Sequence, residues 1–152
     1  MPDQKPLDSM ASFFLVEVDG EDIGSFLELS GLEVHVNVET YDEGGQNEFV
    51  RKLPGRLEWP NVVLKRGLVQ ADNLLVWLRE SGGEGFAAKG SKLKRTSAAI
   101  TLMYADGRRI RSWELSEAFP VRWTGPRLAV SDSRGLTEEL EIAHHGLRPR
   151  TA

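Results

Sequence analysis

The chain has 152 residues, of which 40% are hydrophobic and 28% charged, with a formal net charge of −4 and no cysteine. The length predicts a single domain that can bury a core, and the lack of cysteine excludes disulfide scaffolds and thiolate chemistry. The acidic balance argues against a general nucleic-acid binder, and no apolar run reaches the roughly 20 residues of a membrane span.

Residues 1–11 predict a flexible N-terminal tail, because they are polar, contain two prolines and show no periodicity. They also lack the basic and apolar regions of a signal peptide, so we expect synthesis and assembly in the cytoplasm. From Ser12 the pattern changes to strand. The stretch "FFLVEV" is apolar and β-prone, and it ends at the turn pair Asp19-Gly20.

The next stretch, Ile23 to Tyr41, predicts more strand, and its second half alternates strictly between apolar and polar residues. The apolar positions of this stretch are Val34, Val36 and Val38. A period of two indicates a sheet with one dry face and one wet face, so we expect these valines to pack in the core of the subunit. The polar positions are Glu33, His35, Asn37 and Glu39.

A long connection from Tyr41 to Gly67 follows, and only its end, "NVVLKRG", predicts a short strand. Loops of this length are uncommon in a compact domain unless they are functional or disordered. This one combines the glycine pair Gly44-Gly45 and a Leu-Pro-Gly break with several apolar residues, which are Phe49, Val50, Leu53 and Leu57.

One helix is predicted over "LVQADNLLVWLRESGG", because Leu74, Leu75, Trp77 and Leu78 form an apolar stripe that ends at Gly82-Gly83. A linker, a hairpin about Asp106-Gly107, and the strand-like stretches "AFPVRW" and "GLTEELEIAHHGL" complete the chain. We therefore predict a mainly β fold, a small antiparallel β-barrel or sandwich with one flanking α-helix.

A search for catalytic motifs gives no nucleophile–base pair. The adjacent residues His144 and His145 point to opposite faces of a strand and cannot easily share a metal, and His35 stands alone. The loose dinucleotide pattern at residues 83–88 follows a helix instead of a strand, so it predicts a glycine cap and linker. We therefore expect no enzyme, no cofactor and no metal site.

Two basic clusters favour a solvated face or a patch for a protein partner over nucleic-acid binding, because the chain as a whole is acidic. They are Lys89, Lys92, Lys94 and Arg95, and then Arg108, Arg109 and Arg111.

Five separated segments together resemble the inner-tube proteins of contractile injection systems and of contractile phage tails. They are "FFLVEVDGEDIGSFLELSGLEVHVNVETYDEGGQN", "LPGRLEWPNVVLKRG", "ADNLLVWL", "SWELSEAFPVRWTGP" and "EELEIAHHGL", in this order. The resemblance covers about residues 12–147, which we take as the tail-tube β-barrel domain. Residues 148–152 are then a short C-terminal tail.

The resemblance implies a structural subunit, with six copies closing into a ring and rings stacking into a hollow tube. A contractile sheath would surround the tube and propel it through a target membrane, and protein cargo could lie in the lumen. The implied partners are other copies of the chain, the sheath protein, and baseplate and cap proteins. Neither nucleic-acid sequence recognition nor stable membrane insertion of the monomer is expected.

Three sets of site residues follow from the resemblance. The polar row of Glu33, His35, Asn37 and Glu39 is expected to face the lumen. The long connection would reach the next ring as an extended loop with a turn at Leu53-Pro54-Gly55, and its contact residues are Gly44, Gly45, Phe49, Val50, Leu53, Pro54, Gly55 and Leu57. The polar side of the helix, with Asp72, Arg79 and Glu80, would face the sheath.

Two alternatives stay open. A baseplate-proximal tube initiator of the same family would share the fold but occur in few copies. A monomeric ligand-binding β-barrel belongs to a different class and predicts a deep apolar pocket. The sequence does not distinguish a phage tail from an extracellular or a cell-anchored injection particle.

Overall fold

The structure, a computed structural model, describes residues 11–45, 48–67, 73–82, 96–126 and 136–150. The basic segment from Lys89 to Arg95 and most of the predicted N-terminal tail lie outside these residues. The described elements are β1 Phe13–Val18, β2 Glu21–Phe26, β3 Glu28–Ser30, β4 His35–Tyr41, β5 Arg51–Glu58, β6 Val62–Gly67, α1 Asn73–Ser81, β7 Thr96–Met103, β8 Arg109–Thr124, β9 Thr137–Ala143 and β10 Leu147–Arg150.

Eight of the described strands form one antiparallel sheet. Its path runs β2-β1-β7-β8-β9-β6-β3, and β10 pairs with β8. The other two strands, β4 and β5, form a separate two-stranded sheet. The prediction of a mainly β, antiparallel fold with one flanking helix is therefore confirmed. β10 continues the sheet to Arg150, past the predicted end of the domain at residue 147.

Strand β8 belongs to both layers of the fold. Its residues 109–118 pair with β7, and its residues 119–124 pair with β9. The change occurs near Glu117, which has a positive φ of 50°, and near a register shift between Pro120 and Arg122. The second arm of the predicted Asp106-Gly107 hairpin and the strand-like stretch "AFPVRW", which were predicted separately, therefore lie in a single strand of 16 residues.

The two ends of the sheet path, β2 and β3, are consecutive in the chain and are separated only by Leu27. The backbone N–H of Leu27 donates to the carbonyl oxygen of Lys65 on β6, at 2.9 Å. The sheet thus curves until its ends meet. Because no strand pairing among the described residues joins β2 to β3 or β6, the result is an open sandwich and not a closed barrel.

The core lies between the two layers, where the alternate residues of each strand are apolar. Full burial of one such side chain stabilises the fold by about 1.5–3 kcal/mol. Helix α1 lies against β8 and β2 and adds Leu74 and Trp77 to this core. The remaining buried cluster includes Val16, Phe26, Val62, Leu64, Ile100, Leu115, Leu140 and Ile142.

The two predicted hairpin turns are present. Asp19 and Gly20, between β1 and β2, both have positive φ angles, of 51° and 84°, as a tight two-residue hairpin turn requires. Between β7 and β8, Gly107 has a φ of 87° and its N–H donates to the carbonyl oxygen of Tyr104 at 3.1 Å. The backbone N–H and then the guanidinium of Arg108 hold the pKa of Asp106 below its usual value of 3.8.

Candidate functional site

The hairpin of β4 and β5 is the most exposed part of the described fold. It has its own two-stranded sheet and shares no strand pairing with the main sheet. Every residue of β4 is exposed, and in β5 only Gly55 is half-buried. An isolated two-stranded hairpin is marginally stable in water, so a hairpin built in this way needs a second surface to cover it.

One face of this hairpin is apolar. Val36 lies opposite Leu57, and Val38 lies opposite Pro54. In the single chain these valines are 47% and 58% exposed, and Val34, just before β4, is also exposed. The prediction that Val34, Val36 and Val38 pack in the core of the subunit is therefore wrong. No other layer of the described chain lies behind the hairpin. The alternating sequence therefore marks an apolar face that nothing covers in the single chain.

The opposite face carries the polar row predicted for the lumen. A ring nitrogen of His35, Nε2, lies 3.0 Å from Glu33 Oε2, and the side-chain amide of Asn37 donates to Glu58 Oε1 at 2.7 Å. Glu39 lies on the same face and is also exposed. The structure therefore brings all four predicted residues together in one polar, acid-rich strip.

The Leu53-Pro54-Gly55 segment does not form the predicted turn, because all three residues lie inside strand β5. An edge strand accepts proline, because on its outer side no neighbouring strand needs the N–H that proline lacks. A register shift between Val36 and Val38 places an extra residue of β5 beside Asn37. At Gly55 an added Cβ would lie only 2.8 Å from the carbonyl oxygen of Asn37, so the glycine permits a close backbone approach.

The tip of the hairpin is formed instead around Gly44 and Gly45, where Gly45 has a φ of 91°. Residues 46 and 47 lie outside the described part of the chain. Immediately before β5, Phe49 and Val50 are exposed, at 56% and 48%. Of the residues predicted to contact the next ring, four are thus at the tip and Leu53, Pro54, Gly55 and Leu57 are along β5.

Helix α1 presents the second predicted surface. Leu74 and Trp77 are buried, and Arg79 and Glu80 are exposed on the other side. The third residue predicted to face the sheath, Asp72, lies outside the described residues. Ser81, at the end of the helix, donates its hydroxyl to the carbonyl oxygen of Trp77 at 2.8 Å.

A buried charged cluster lies inside the sandwich and was missed at the sequence level. Arg66 and Glu138 form an ion pair with both side chains about 95% buried, at 5% and 6% exposed. The indole N–H of Trp123 also donates to Glu138 Oε2, at 3.1 Å, and the guanidinium of Arg66 lies 4.7 Å from the ring centre of Phe26. The sequence did contain a signal, because alternate residues of a strand lie on the same face. Arg66 alternates in this way with Val62 and Leu64, and Glu138 with Leu140 and Ile142.

The three histidines take separate positions. His144 is buried, with Nε2 3.2 Å from the carbonyl oxygen of Pro60, while its Nδ1 accepts from the N–H of Gly146 at 3.2 Å. His145 is an exposed partner of Glu117. Within the described residues, no group of three or more His, Asp or Glu side chains is arranged to hold a metal ion. The described part of the chain also contains no helix that is long and apolar enough to cross a membrane.

Comparison with known proteins gives the family. A family model described as T4-like virus tail tube protein gp19 matches residues 11–148. No curated protein matches the sequence significantly.

Several solved structures share the fold. A chain of the sheath-tube complex of PVC, an extracellular contractile injection system, has a TM-score of 0.77 and 21% identity, with 98% of this chain and 94% of that chain covered. A chain of the anti-feeding prophage baseplate has a TM-score of 0.74 and 23% identity, with 95% of each chain covered. A type six secretion system protein is more distant, at a TM-score of 0.56 and 12% identity, with 90% and 82% covered.

At these identities the solved structures show a common fold, while the family model spans nearly the whole chain. The chain belongs to the T4-like virus tail tube protein gp19 family and is a structural tube protein.

Proposed function

We propose that the chain is the subunit of the inner tube of a contractile injection system, in which six copies close into a ring and rings stack into a tube. The observation that carries this proposal is the uncovered apolar face of the β4–β5 hairpin, with Val36, Val38 and Leu57 exposed in the single chain. A tube protein covers such a face with neighbouring copies.

The physical reason is the cost of leaving this face in water. Covering each of these apolar side chains stabilises the assembly by at most about 1.5–3 kcal/mol. The hairpin also has free strand edges, which add readily to a strand of another chain. Contacts between unlike surfaces close into a ring when the rotation allows it, and a second such contact along an axis gives an open polymer. A hairpin that joins those of its neighbours would line the tube as one continuous sheet.

In that arrangement the polar face of the hairpin faces the lumen. Glu33, His35, Asn37 and Glu39 form this face, and the reverse orientation would bury carboxylates while leaving the valines in water, which is unfavourable. The hydrogen bonds of His35 and Asn37 are made to carboxylates on the same exposed face, so this face presents polar and charged groups to water. We propose that protein cargo can lie in this lumen.

The hairpin tip is the proposed contact with the next ring. Gly45, which follows Gly44 at the tip and has a positive φ, allows the sharp turn, and Phe49 and Val50 are the exposed apolar side chains that a neighbouring ring would bury. Burial of these side chains would offset the entropy lost when the tip is ordered. Leu53, Pro54, Gly55 and Leu57 extend the same contact along β5.

The outer partners follow from the complexes that contain similar chains. These complexes are a PVC sheath-tube complex, the anti-feeding prophage baseplate and the anti-feeding prophage cap. We propose sheath, baseplate and cap proteins as partners of this chain, with Arg79 and Glu80 of α1 facing the sheath. Exposed ion pairs typically supply only ~0–1 kcal/mol each, which suits a contact that must release when the sheath contracts.

Electron microscopy of the purified protein tests the proposal. Rings and long tubes are the expected result, and single rings without tubes would instead favour the baseplate-proximal initiator. Monomers at every concentration, also in the presence of the cognate sheath and baseplate, would contradict the proposal and favour a monomeric binding protein.

Thiol labelling of assembled tubes tests the orientation of the hairpin, since the chain has no other cysteine. We expect a bulky reagent to label Asn37→Cys readily from the lumen and to label Val36→Cys poorly. Both variants should react in dissociated subunits, where both positions are exposed. Labelling of position 36 but not position 37 in tubes would reverse the assignment.

A further inference from the structure

Two short connections join the β4–β5 hairpin to the sandwich. One is residues 31–34, between β3 and β4, and the other is residues 59–61, between β5 and β6. Among the described residues the hairpin shares no strand pairing with the main sheet, so its direction depends on how these two connections are held. We call the two connections the hairpin base.

The two connections pack against each other through their backbones. Gly31 has a φ of 90°, and a Cβ added there would lie 2.2 Å from the carbonyl oxygen of Asn61 and 3.1 Å from Val62 Cα. Just after it, the N–H of Glu33 donates to the carbonyl oxygen of Gly31 at 2.8 Å, which makes a three-residue turn. The hairpin base is thus closed by a backbone contact that only glycine permits.

The connection from β5 to β6 is also held by the buried His144, which follows β9. Its Nε2 lies 3.2 Å from the carbonyl oxygen of Pro60, and its Nδ1 lies 3.2 Å from the backbone nitrogen of Gly146. The ring centres of His144 and Trp59 are 6.0 Å apart. A single side chain therefore ties the hairpin base to the segment between β9 and β10.

The two partners of His144 determine which ring nitrogen carries the proton. A backbone N–H only donates, and a carbonyl oxygen only accepts. Nδ1 is therefore the acceptor for the N–H of Gly146, and Nε2 carries the proton and donates to the carbonyl oxygen of Pro60. The neutral ring uses both of its nitrogens, one towards the hairpin base and one towards its own loop.

A third contact of the hairpin base is made at its surface. The side-chain amide of Asn61 donates to Glu141 Oε1 on β9, at 3.1 Å. Both of these side chains are exposed, so water competes for this bond, whereas the residue His144 is only 6% exposed. The bond from His144 to Pro60 is therefore the side-chain contact best protected from water at the hairpin base.

We propose that His144 is a positioning residue for tube assembly, which sets the direction of the β4–β5 hairpin through its bond to Pro60. The proposal rests on the proposed function, in which the hairpin joins those of neighbouring copies. A hairpin that pivots at its base loses more conformational freedom on joining its neighbours than a hairpin that is already held. Holding it in advance lowers this entropic cost and so favours assembly.

Two substitutions separate the two bonds of His144. In His144→Asn the amide oxygen still accepts from Gly146 but the shorter side chain does not reach Pro60, whereas in His144→Gln the amide N–H still donates to Pro60. We expect His144→Asn to raise the protein concentration needed for tube formation by about tenfold, and His144→Gln to stay within about threefold of the wild type, measured by sedimentation velocity. The control is His145→Asn, at the exposed neighbouring histidine, which should assemble like the wild type.

Pulsed electron paramagnetic resonance of dissociated subunits gives a readout that does not depend on assembly. Spin labels at Lys52→Cys in the hairpin and Thr137→Cys in β9, both at exposed positions, report the direction of the hairpin, since the chain has no other cysteine. The distribution of distances should be narrow in the wild type and in His144→Gln, and broader in His144→Asn. Circular dichroism with thermal unfolding should show that both variants are folded at the temperature of the experiment.

Gly31→Ala tests the hairpin base without a change at His144. The new Cβ meets the carbonyl oxygen of Asn61 at 2.2 Å, so the two connections must move apart. The same loss of assembly and the same broader distance distribution are expected. The control is Gly107→Ala, which has a similar positive φ of 87°, but where nothing lies within 4 Å of the added Cβ, so tubes should form.

Two results would overturn the inference while leaving the proposed function intact. One is tube formation by His144→Asn at the wild-type concentration and with a narrow distance distribution. The other is equal impairment of His144→Asn and His144→Gln, which would show that the bond to Pro60 is not what assembly requires. Failure of the wild-type protein to assemble would overturn the proposed function, and the distance distributions would still show whether His144 holds the hairpin.

Discussion

Arg66 and Glu138 lie directly opposite each other on β6 and β9 and form an ion pair inside the domain. Each occupies a position of its strand that otherwise carries apolar core residues. Gly24 on β2 leaves space for the arginine, since an added Cβ there would lie 2.0 Å from Arg66 Nη1. The pair therefore ties β2, β6 and β9 together, on the side of the core where the two ends of the sheet meet.

Removing one partner of this pair should destabilise the fold strongly. Glu138→Ala leaves the Arg66 guanidinium buried without a counter-charge, and such changes cost about 3–5 kcal/mol. The double variant Arg66→Met/Glu138→Leu should recover most of this loss, because no charge is left in the core. Denaturant unfolding of dissociated subunits measures both free energies. A single variant as stable as the wild type would contradict the ion pair.

Gly55 should be required by the hairpin and not by the core. In Gly55→Ala the new Cβ meets the carbonyl oxygen of Asn37 at 2.8 Å, so the register of β4 and β5 must shift. We expect thermal unfolding of the subunit to change little, and tube formation seen by electron microscopy to weaken clearly. The control is Gly67→Ala at the end of β6, outside the hairpin, where an added Cβ meets nothing closer than 4.0 Å and tubes should form normally. Equal behaviour of the two variants would argue against the close approach.

The hairpin tip should control elongation. Phe49→Ser/Val50→Ser removes apolar surface worth at most about 1.5–3 kcal/mol per residue at the proposed ring contact. The expected products are single rings and short stacks with an unchanged subunit fold, measured by tube length in negative stain. Leu27→Ser is a matched control, because it replaces an exposed apolar residue away from the hairpin. Long tubes from the tip variant would refute the stacking role.

The contact of β10 with β8 should depend on pH. The hydrogen bond from Arg148, followed by that from Ser97, lowers the pKa of Glu114 below its usual value of 4.5. A lowered folded-state pKa stabilises the fold above the unfolded-state pKa, and the contribution disappears as the pH falls through the folded-state value. Arg148→Ala should therefore raise the pKa of Glu114, measured by NMR of dissociated subunits. Its stability should differ from that of the wild type at neutral pH and converge with it as the pH falls below the lowered folded-state pKa of Glu114. The control is Arg122→Ala, at another exposed arginine, which lies on β8 and makes no contact with Glu114 in the described residues; it should leave the pKa of Glu114 unchanged.

Local patterns were sufficient for much of the fold. The turn pairs Asp19-Gly20 and Asp106-Gly107 specify their conformation through the backbone of a few residues, so the hairpins they connect could be predicted. Leu74 and Trp77 have helical spacing, and they are the buried residues of α1. Family membership could also be inferred, because several motifs occur in one order along the chain.

Pairing over long distances could not be read from the sequence in the same way. The strict alternation from Glu33 to Glu39 identifies two faces, but it does not say what covers the apolar one. Val36 and Val38 were assigned to the core of the subunit and are exposed in the single chain. Leu53-Pro54-Gly55 has the composition of a turn, yet its pairing with β4 makes it part of a strand.

By itself, the sequence determined most strand segments, the helix, the Asp-Gly turns and the family, since each depends on spacing between residues close in the chain. Only the tertiary structure decided that Arg66 meets Glu138 and that the β4–β5 hairpin stands apart from the sandwich. The physical reason is that these features depend on which strands pair. Strand pairing brings together residues that are far apart in the chain, and the residue pattern of one strand does not show which strand is its partner.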